Sequence, residues 1–247
     1  MTRGQKIIVV MPAYNAAKTL RETYEAIPKD EVDEIILVDD ASHDATLRQA
    51  KKLELLAIRH RHNLGYGGNQ KTCYTEALRR GADIVIMLHP DGQYDPRLIP
   101  EIVQPITDGR ADVVLGSRML DKRAALAGGM PLYKFASNIF LTAVENAILR
   151  RELAEYHSGY RAFSRRFLEG VPFLRNSNDF IFDQEILAQA VAFGFRIAEI
   201  PITTRYFKEA SSISLQASLL YGFQTLWLMM RFALHRCRMA RSRLFLP

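Results

Sequence analysis

Short runs of Ile, Val, Leu and Met alternate along the chain with stretches whose apolar residues recur every three or four positions. The runs KIIVVM, EIILVD, LLAIRH, IVIML and DVVLGS are rich in branched residues and lack a polar alternation. That pattern predicts strands buried on both faces, as in a parallel sheet. Between them, AKTLRETYEAI, DATLRQAKKL, the segment from Gly67 to Arg80, and PRLIPEIVQPI repeat with helical period, the last despite its inner prolines. Strands alternating with helices imply an α/β fold with a mostly parallel sheet flanked by helices. Right-handed crossovers then bring Tyr14, Asn15, Asp39, Asp40, Asn63, Asp91 and Arg118 to one sheet edge, because each follows its own strand. Ligands of open α/β sheets bind at that edge.

The last stretch has a different pattern. Leu215, Leu219, Leu220, Phe223, Leu226, Trp227, Met230 and Leu234 recur at helical spacing, with Gln224, Arg231, His235 and Arg238 near the opposite face. The uncharged segment from Ala210 to Met230 has the length of a membrane span, but Ser211, Ser212, Ser214, Gln216, Ser218, Gln224 and Thr225 make it too polar for one. A basic, Trp-bearing amphipathic helix suits a membrane interface; packing on the core or on a second subunit of a homo-oligomer is the alternative. Residues 1–212 are accordingly expected to form the α/β domain and residues 213–247 a basic helical tail.

Charge supports that division. The net charge is +6, and after Glu209 no acid occurs while Arg231, Arg236, Arg238, Arg241 and Arg243 follow, so the basic character belongs almost wholly to the tail. This argues against a nucleic-acid groove across the fold and for one basic end near a phosphate-bearing surface. With 247 residues, 48% of them hydrophobic, and no Pro, Gly or Ser-rich linker, the chain holds enough apolar material for one full core. Cys73 and Cys237 lie far apart in sequence, and Cys73 falls within a helical pattern, where a free thiol in a reducing cytosol is expected. The N-terminus runs from a short basic stretch directly into a strand, with too little apolar length for a signal peptide.

Two carboxylate turns carry the candidate chemistry. EIILVDD ends on Asp39 and Asp40, and IVIML leads into HPDGQYDP around Asp91. Acids converging from two strand ends suit a metal-chelated phosphate and a polar nucleoside. Asp44 and Asp95, the latter followed by Pro96, read as helix caps instead. NLGYGGNQ at residues 63–70 suggests a dinucleotide fold, yet it follows the third strand rather than the first and carries Gln70 where the fingerprint needs glycine. Its glycines permit either close approach of a ligand or a tight helix entry.

Taken in order, strand–PAYN, strand–VDDAS, HNLGYGGNQ, the Asp-x-Gln turn, GSR, SGYRAF, and FDQE followed by IPITTRY resemble glycosyltransferase family 2, and most closely its polyprenyl-phosphate sugar transferases such as dolichyl-phosphate mannose synthase. The resemblance runs from about residue 6 to about residue 212. It implies a GT-A fold, a nucleotide-sugar donor, a divalent cation and inversion at the anomeric carbon. By the same resemblance Pro12, Ala13, Tyr14 and Asn15 match the first nucleotide-binding turn, Asp39 and Asp40 the acids that hold base and ribose, and Asn63 and Gly67 the third-strand loop. Asp91 and Gln93 match the metal-binding turn, with His89 standing in place of its first acid, either as a metal ligand or as a bystander in a strand end fixed by Pro90. Imidazole is a weaker partner than carboxylate for Mg2+ but acceptable to Mn2+, so that exchange bears on metal preference.

Arg118 and Arg161 match acceptor-side basic positions, with Arg205 a weaker candidate. A lipid phosphate acceptor is already anionic and needs only cations to position it. A hydroxyl acceptor needs a carboxylate base, for which Asp183 or Glu185 is the candidate; two residues apart on a helix, at most one of them faces the site and the other is solvated or capping. With this resemblance the expectation is an inverting, metal-dependent glycosyltransferase that moves a hexose from a nucleotide sugar to polyprenyl phosphate, cytoplasmic and peripheral on the membrane. Its rivals are a family member acting on a hydroxyl and a nucleotide-sugar-binding protein without catalysis.

Overall fold

The computed structural model describes residues 4–204 and 215–247. Arg205, Ser211, Ser212, Ser214 and the side chain of Leu215 lie outside the described residues. All five apolar runs form strands: β1 (Ile7–Ala13), β2 (Glu34–Asp39), β3 (Leu56–Arg59), β4 (Ile84–Met87) and β5 (Val113–Ser117). They alternate with α1 (Leu20–Ala26), α2 (Thr46–Lys52), α3 (Tyr66–Arg79) and α4 (Ile99–Thr107). The prolines of α4 are tolerated because Pro100 lies in its first turn, where N–H groups have no intrahelical partner, and Pro105 near its end.

Two further strands complete the sheet. β6 (Arg161–Ser164) is inserted antiparallel between β4 and β5, and β7 (Ile197–Pro201) is parallel to β5, giving the order β3-β2-β1-β4-β6-β5-β7 among the described residues. Neither is an apolar run. β6 is four residues that open on an arginine, and β7 is only partly buried, so apolar periodicity does not reveal them. The connections α5 (Lys122–Ala127), α6 (Leu132–Leu149) and α7 (Arg165–Gly170) precede and follow β6, and α8 (Phe182–Ala192) precedes β7.

Apolar cores cover both faces of the sheet. On one side Leu20, Ile99, Ile102 and Tyr160 pack under α1 and α4. On the other, Tyr74 of α3, Phe163 of β6 and Phe182 of α8 pack with Leu228, Met229 and Phe232 of α9 (Leu215–Arg236) and with Leu244 and Phe245. One face of α9 therefore belongs to the core, and it is not the stripe that periodicity singles out. Leu219, Leu220, Phe223, Trp227 and Met230 point outward, while Thr225, Leu228, Met229 and Phe232 are buried. Apolar residues occupy so much of this helix that the stripe of highest hydrophobicity is free to lie opposite the packed one. No described helix is long and apolar enough to cross a membrane.

This packing predicts opposite outcomes for two phenylalanines of α9. Phe232 is 2% exposed and Phe223 71%. In denaturant unfolding, Phe232→Ala should lose about 3–5 kcal/mol, and Phe223→Ala should stay within about 0.5 kcal/mol of the parent.

Candidate functional site

The turns after β1 and β2 are stitched together at the C-terminal sheet edge. Asn15 adopts a left-handed conformation (φ 54°), its backbone N–H donates to Ser42 Oγ at 2.9 Å, and its side-chain oxygen accepts from His43 N at 2.9 Å. Ala16 N donates to Thr46 Oγ1 at 2.8 Å and Ala17 N to Asp44 Oδ2 at 3.0 Å. Asp44 also accepts from Thr46 N at the start of α2, so the expected cap doubles as a tie between turns. Tyr14 is exposed beside His43, whereas Pro12 and Ala13 are buried in β1 and form the wall of the turn.

The paired acids have separate tasks. Asp40 accepts from Leu64 N at 2.8 Å and Gly65 N at 3.1 Å, and lies 2.7 Å from His60 Nδ1. Asn63 donates from its amide to Asp40 O and accepts from Gly65 N at 2.9 Å. The polar atoms of Asp40 and Asn63 thus shape the loop after β3. Gly67 packs against the chain itself. A Cβ there would lie 2.4 Å from Ser177 O, and Gly67 N donates to Asn178 O at 2.7 Å. The close approach is made by another stretch of the chain.

Asp39 is different. It is 0% exposed, and neither carboxylate oxygen has a hydrogen-bond partner among the described residues; the half-exposed Arg59 lies over it, with Nε 3.5 Å from Oδ2. Buried carboxylates left without hydrogen bonds are rare and unfavourable. Movement of the flexible Arg59 side chain would open Asp39 to the N–H or O–H donors of a base or ribose.

At the end of β4, Asp91 Oδ1 accepts from Gln93 N at 3.0 Å, which holds the turn. Asp95 accepts from Arg97 N at 3.0 Å, as a cap should. The His89 ring is stacked on Tyr66 at 5.5 Å and tilted against Tyr94 at 6.2 Å, and Tyr94 stacks on Tyr160. His89 is thus part of an aromatic column, with buried Nε2 unpartnered among the described residues. No group of three His, Cys, Asp or Glu residues able to hold a metal occurs among the described residues. One carboxylate with an adjacent amide instead fits Mg2+ or Mn2+ whose remaining ligands are phosphate oxygens and water.

Arg161 is 0% exposed. Its Nε donates to Ser158 O at 2.8 Å, Nη1 to Asp183 O at 2.7 Å and Nη2 to Tyr156 O at 2.9 Å. Each of its three guanidinium nitrogens therefore donates to a backbone carbonyl. Its counterion is Asp183, 8% exposed, with Oδ1 3.5 Å from Nη1. Asp183 also accepts from Tyr66 Oη at 2.7 Å and Gln70 Nε2 at 3.0 Å. Glu185, expected in solvent or at a cap if Asp183 faces the site, is buried and accepts from Ser177 N; burial raises its pKa above the ordinary carboxylate value.

Arg118, largely buried after β5, is held by Glu155: Arg118 N donates to Oε2 at 2.8 Å and Nε to Oε1 at 2.9 Å. Burial raises the Glu155 pKa, but the Arg118 charge and hydrogen bonds outweigh it and hold the carboxyl below its ordinary value. Lys134 of α6 is also close enough to feel Arg118; burial first, then that charge, lowers its pKa. Glu155 and Lys134 lie in stretches with no motif, and only the tertiary fold brings them to Arg118.

Comparison with known proteins places the chain in a family. The family model described as glycosyl transferase family 2 matches residues 8–171. An uncharacterized protein of Methanocaldococcus jannaschii is 32% identical over 90% of each chain. The UDP-N-acetylglucosamine–dolichyl-phosphate N-acetylglucosaminyltransferase of Methanococcus voltae is 30% identical over 81% of this chain and 86% of its own. In fold, the chain is similar to Mycobacterium tuberculosis glucosyl-3-phosphoglycerate synthase crystallised with Mn2+, UDP-glucose and glycerol 3-phosphate. That likeness has a TM-score of 0.70 at 20% identity, over 97% of this chain and 82% of the other.

The two acids should separate experimentally. Asp39→Asn is expected to weaken nucleotide binding by about ten- to hundredfold, the worth of a charge-assisted hydrogen bond, without loss of stability. Asp40→Asn should instead destabilise the fold by about 1–3 kcal/mol. Calorimetric titration with nucleoside diphosphate, beside thermal unfolding, reads both.

Proposed function

Because the chain belongs to glycosyl transferase family 2 and has its GT-A fold, we propose that this glycosyltransferase moves a hexose from a nucleotide-sugar donor to a polyprenyl phosphate, with inversion, while seated on the cytoplasmic face of a membrane. The observation that carries the acceptor class is the state of Asp183. Its oxygens are engaged by Tyr66 and Gln70 and face the buried Arg161. A carboxylate whose oxygens are taken up by protein donors and a buried guanidinium is not turned toward an incoming hydroxyl. A phosphate acceptor needs none, since it is anionic near neutral pH. The Methanococcus voltae relative, named for a dolichyl-phosphate acceptor, supports the same class.

The arrangement assigns roles accordingly. Asp39 would bind the base or ribose, and the Asn15 turn would border it. Asp91 and Gln93 would hold a divalent cation, Mg2+ or Mn2+, which when bound supplies neutralisation of charge on the departing diphosphate. The crystallised structural neighbours that carry Mn2+ or Mg2+ with UDP are consistent with that assignment. Arg118 and Lys134 would orient the acceptor phosphate. One of its oxygens forms the new bond to the anomeric carbon as the bond to the nucleoside diphosphate breaks and takes its electron pair with the leaving group. No proton is transferred.

The membrane assignment rests on the outward faces of α6 and α9. Leu132, Tyr133 and Phe140 of α6 are exposed, as are Leu219, Phe223 and Trp227 of α9. The helices touch where Leu141 Cδ1 comes within 4.0 Å of a Cβ position at Gly222. Arg236 at the end of α9 and Arg238, Arg241 and Arg243 beyond it are exposed. Apolar residues bordered by cations fit an anionic lipid surface.

A direct test compares polyprenyl phosphate with the polyprenol of equal length across a panel of nucleotide sugars. Transfer to the phosphate alone is expected. Equal transfer to the alcohol would contradict the acceptor class, and donor binding without consumption would contradict catalysis.

A further inference from the structure

The helices that carry the exposed apolar face are hydrogen-bonded to both groups that hold Arg118. From α6, Asn138 Nδ2 donates to Glu155 Oε1 at 2.8 Å, and Thr142 Oγ1 steadies Asn138 through its side-chain oxygen at 3.2 Å. Glu155 in turn grips the Arg118 guanidinium. From α9, the Tyr221 hydroxyl lies 3.0 Å from His157 Nδ1, and the carbonyl of His157 accepts from Arg118 Nη2 at 3.1 Å. Gln184 of α8, beside Asp183, donates to the same hydroxyl. On its other side, His157 Nε2 is 3.2 Å from Glu145 Oε2 of α6, in a contact off the hydrogen-bond line.

Asn138, Thr142, Glu145, Glu155 and Gln184 are buried, His157 nearly so and Tyr221 partly. In such surroundings hydrogen bonds are strong and directional, so a helix cannot shift without moving its partners. Neither Tyr221 nor Asn138 belongs to the outward apolar face, so each can be altered without removing the surface contacts. We propose that seating the α6/α9 face on a lipid surface sets the position of the Arg118 guanidinium through Asn138 and Tyr221, coupling acceptor use to membrane docking. Tyr221 and Asn138 are positioning residues in this scheme. The inference rests on the lipid-phosphate reading above and adds that the surface itself, apart from concentrating the acceptor, prepares the site.

The test uses a five-carbon prenyl phosphate, too short to anchor in a bilayer at about 0.8 kcal/mol per buried CH2. Transfer is measured with and without empty vesicles of phosphatidylglycerol and phosphatidylcholine. Wild-type rate should rise on vesicle addition by about two- to tenfold, the worth of one net hydrogen bond. Y221F and N138A should co-sediment with vesicles and bind nucleotide as the parent does, and in each the ratio of the rate with vesicles to the rate without them should fall to about one. A full rise in both variants, or none in wild type, would overturn the coupling. Absence of transfer to any prenyl phosphate, short or long, would overturn the reading beneath it and the coupling with it.

Discussion

The guanidinium of Arg161 is the constraint around which the site is organised. A cation with no solvent contact is tolerated only when its donors and its charge are met, and leaving it uncompensated costs several kcal/mol. β6 places Arg161 opposite Met87 of β4 and Leu115 of β5, at the C-terminal ends of strands that run the other way. Three carbonyls and the Asp183 carboxylate complete its surroundings. That set fixes the loop at residues 156–158 and the first turn of α8 relative to the sheet. The loop then presents the His157 carbonyl to Arg118, and α8 presents Asp183 to Tyr66. One charged side chain, inserted where periodicity suggests no strand, thereby joins the acceptor side to the core.

The acids at the sheet edge differ in what remains for a ligand. Asp40, Glu155, Asp183 and Glu185 are all engaged by protein donors, and each fixes a loop or a cation. Asp39 lacks a hydrogen-bond partner among the described residues, and Asp91 holds a short turn at the mouth of the same edge. The chemistry follows from that difference. In the proposed reading Asp39 and Asp91 serve donor and cation, while Asp183, the candidate base of the sequence, faces a buried cation.

Much of this was legible in the sequence, for physical reasons that also explain the gaps. Five strands are visible because strands buried on both faces must be apolar throughout, and the edge where Asp39 and Asp91 gather follows from crossover handedness. The ordered motifs identify the family. Asp39 and Asp40 look equivalent in sequence because nothing local shows that the loop after β3 folds back onto only one of them. β6 escapes notice because it is only four residues long and opens on an arginine, whose counterion Asp183 lies on α8. In α9 the apolar stripe is real but lies outside, since the core accepts Leu228, Met229 and Phe232 instead. Glu155, Lys134 and Asn138 acquire meaning only when α6 is laid beside Arg118.

The central claim is that Asp183 serves as counterion to Arg161 and not as base. The most direct measurement is made on Asp183→Asn: unfolding free energy beside turnover per folded molecule with polyprenyl phosphate. The account predicts a stability loss of about 3–5 kcal/mol, the cost of breaking a buried pair, with turnover within about tenfold of wild type. Loss of a general base would slow transfer by about 10²–10⁴-fold. A stably folded Asp183→Asn protein that binds donor normally and has lost transfer to that extent would contradict the account.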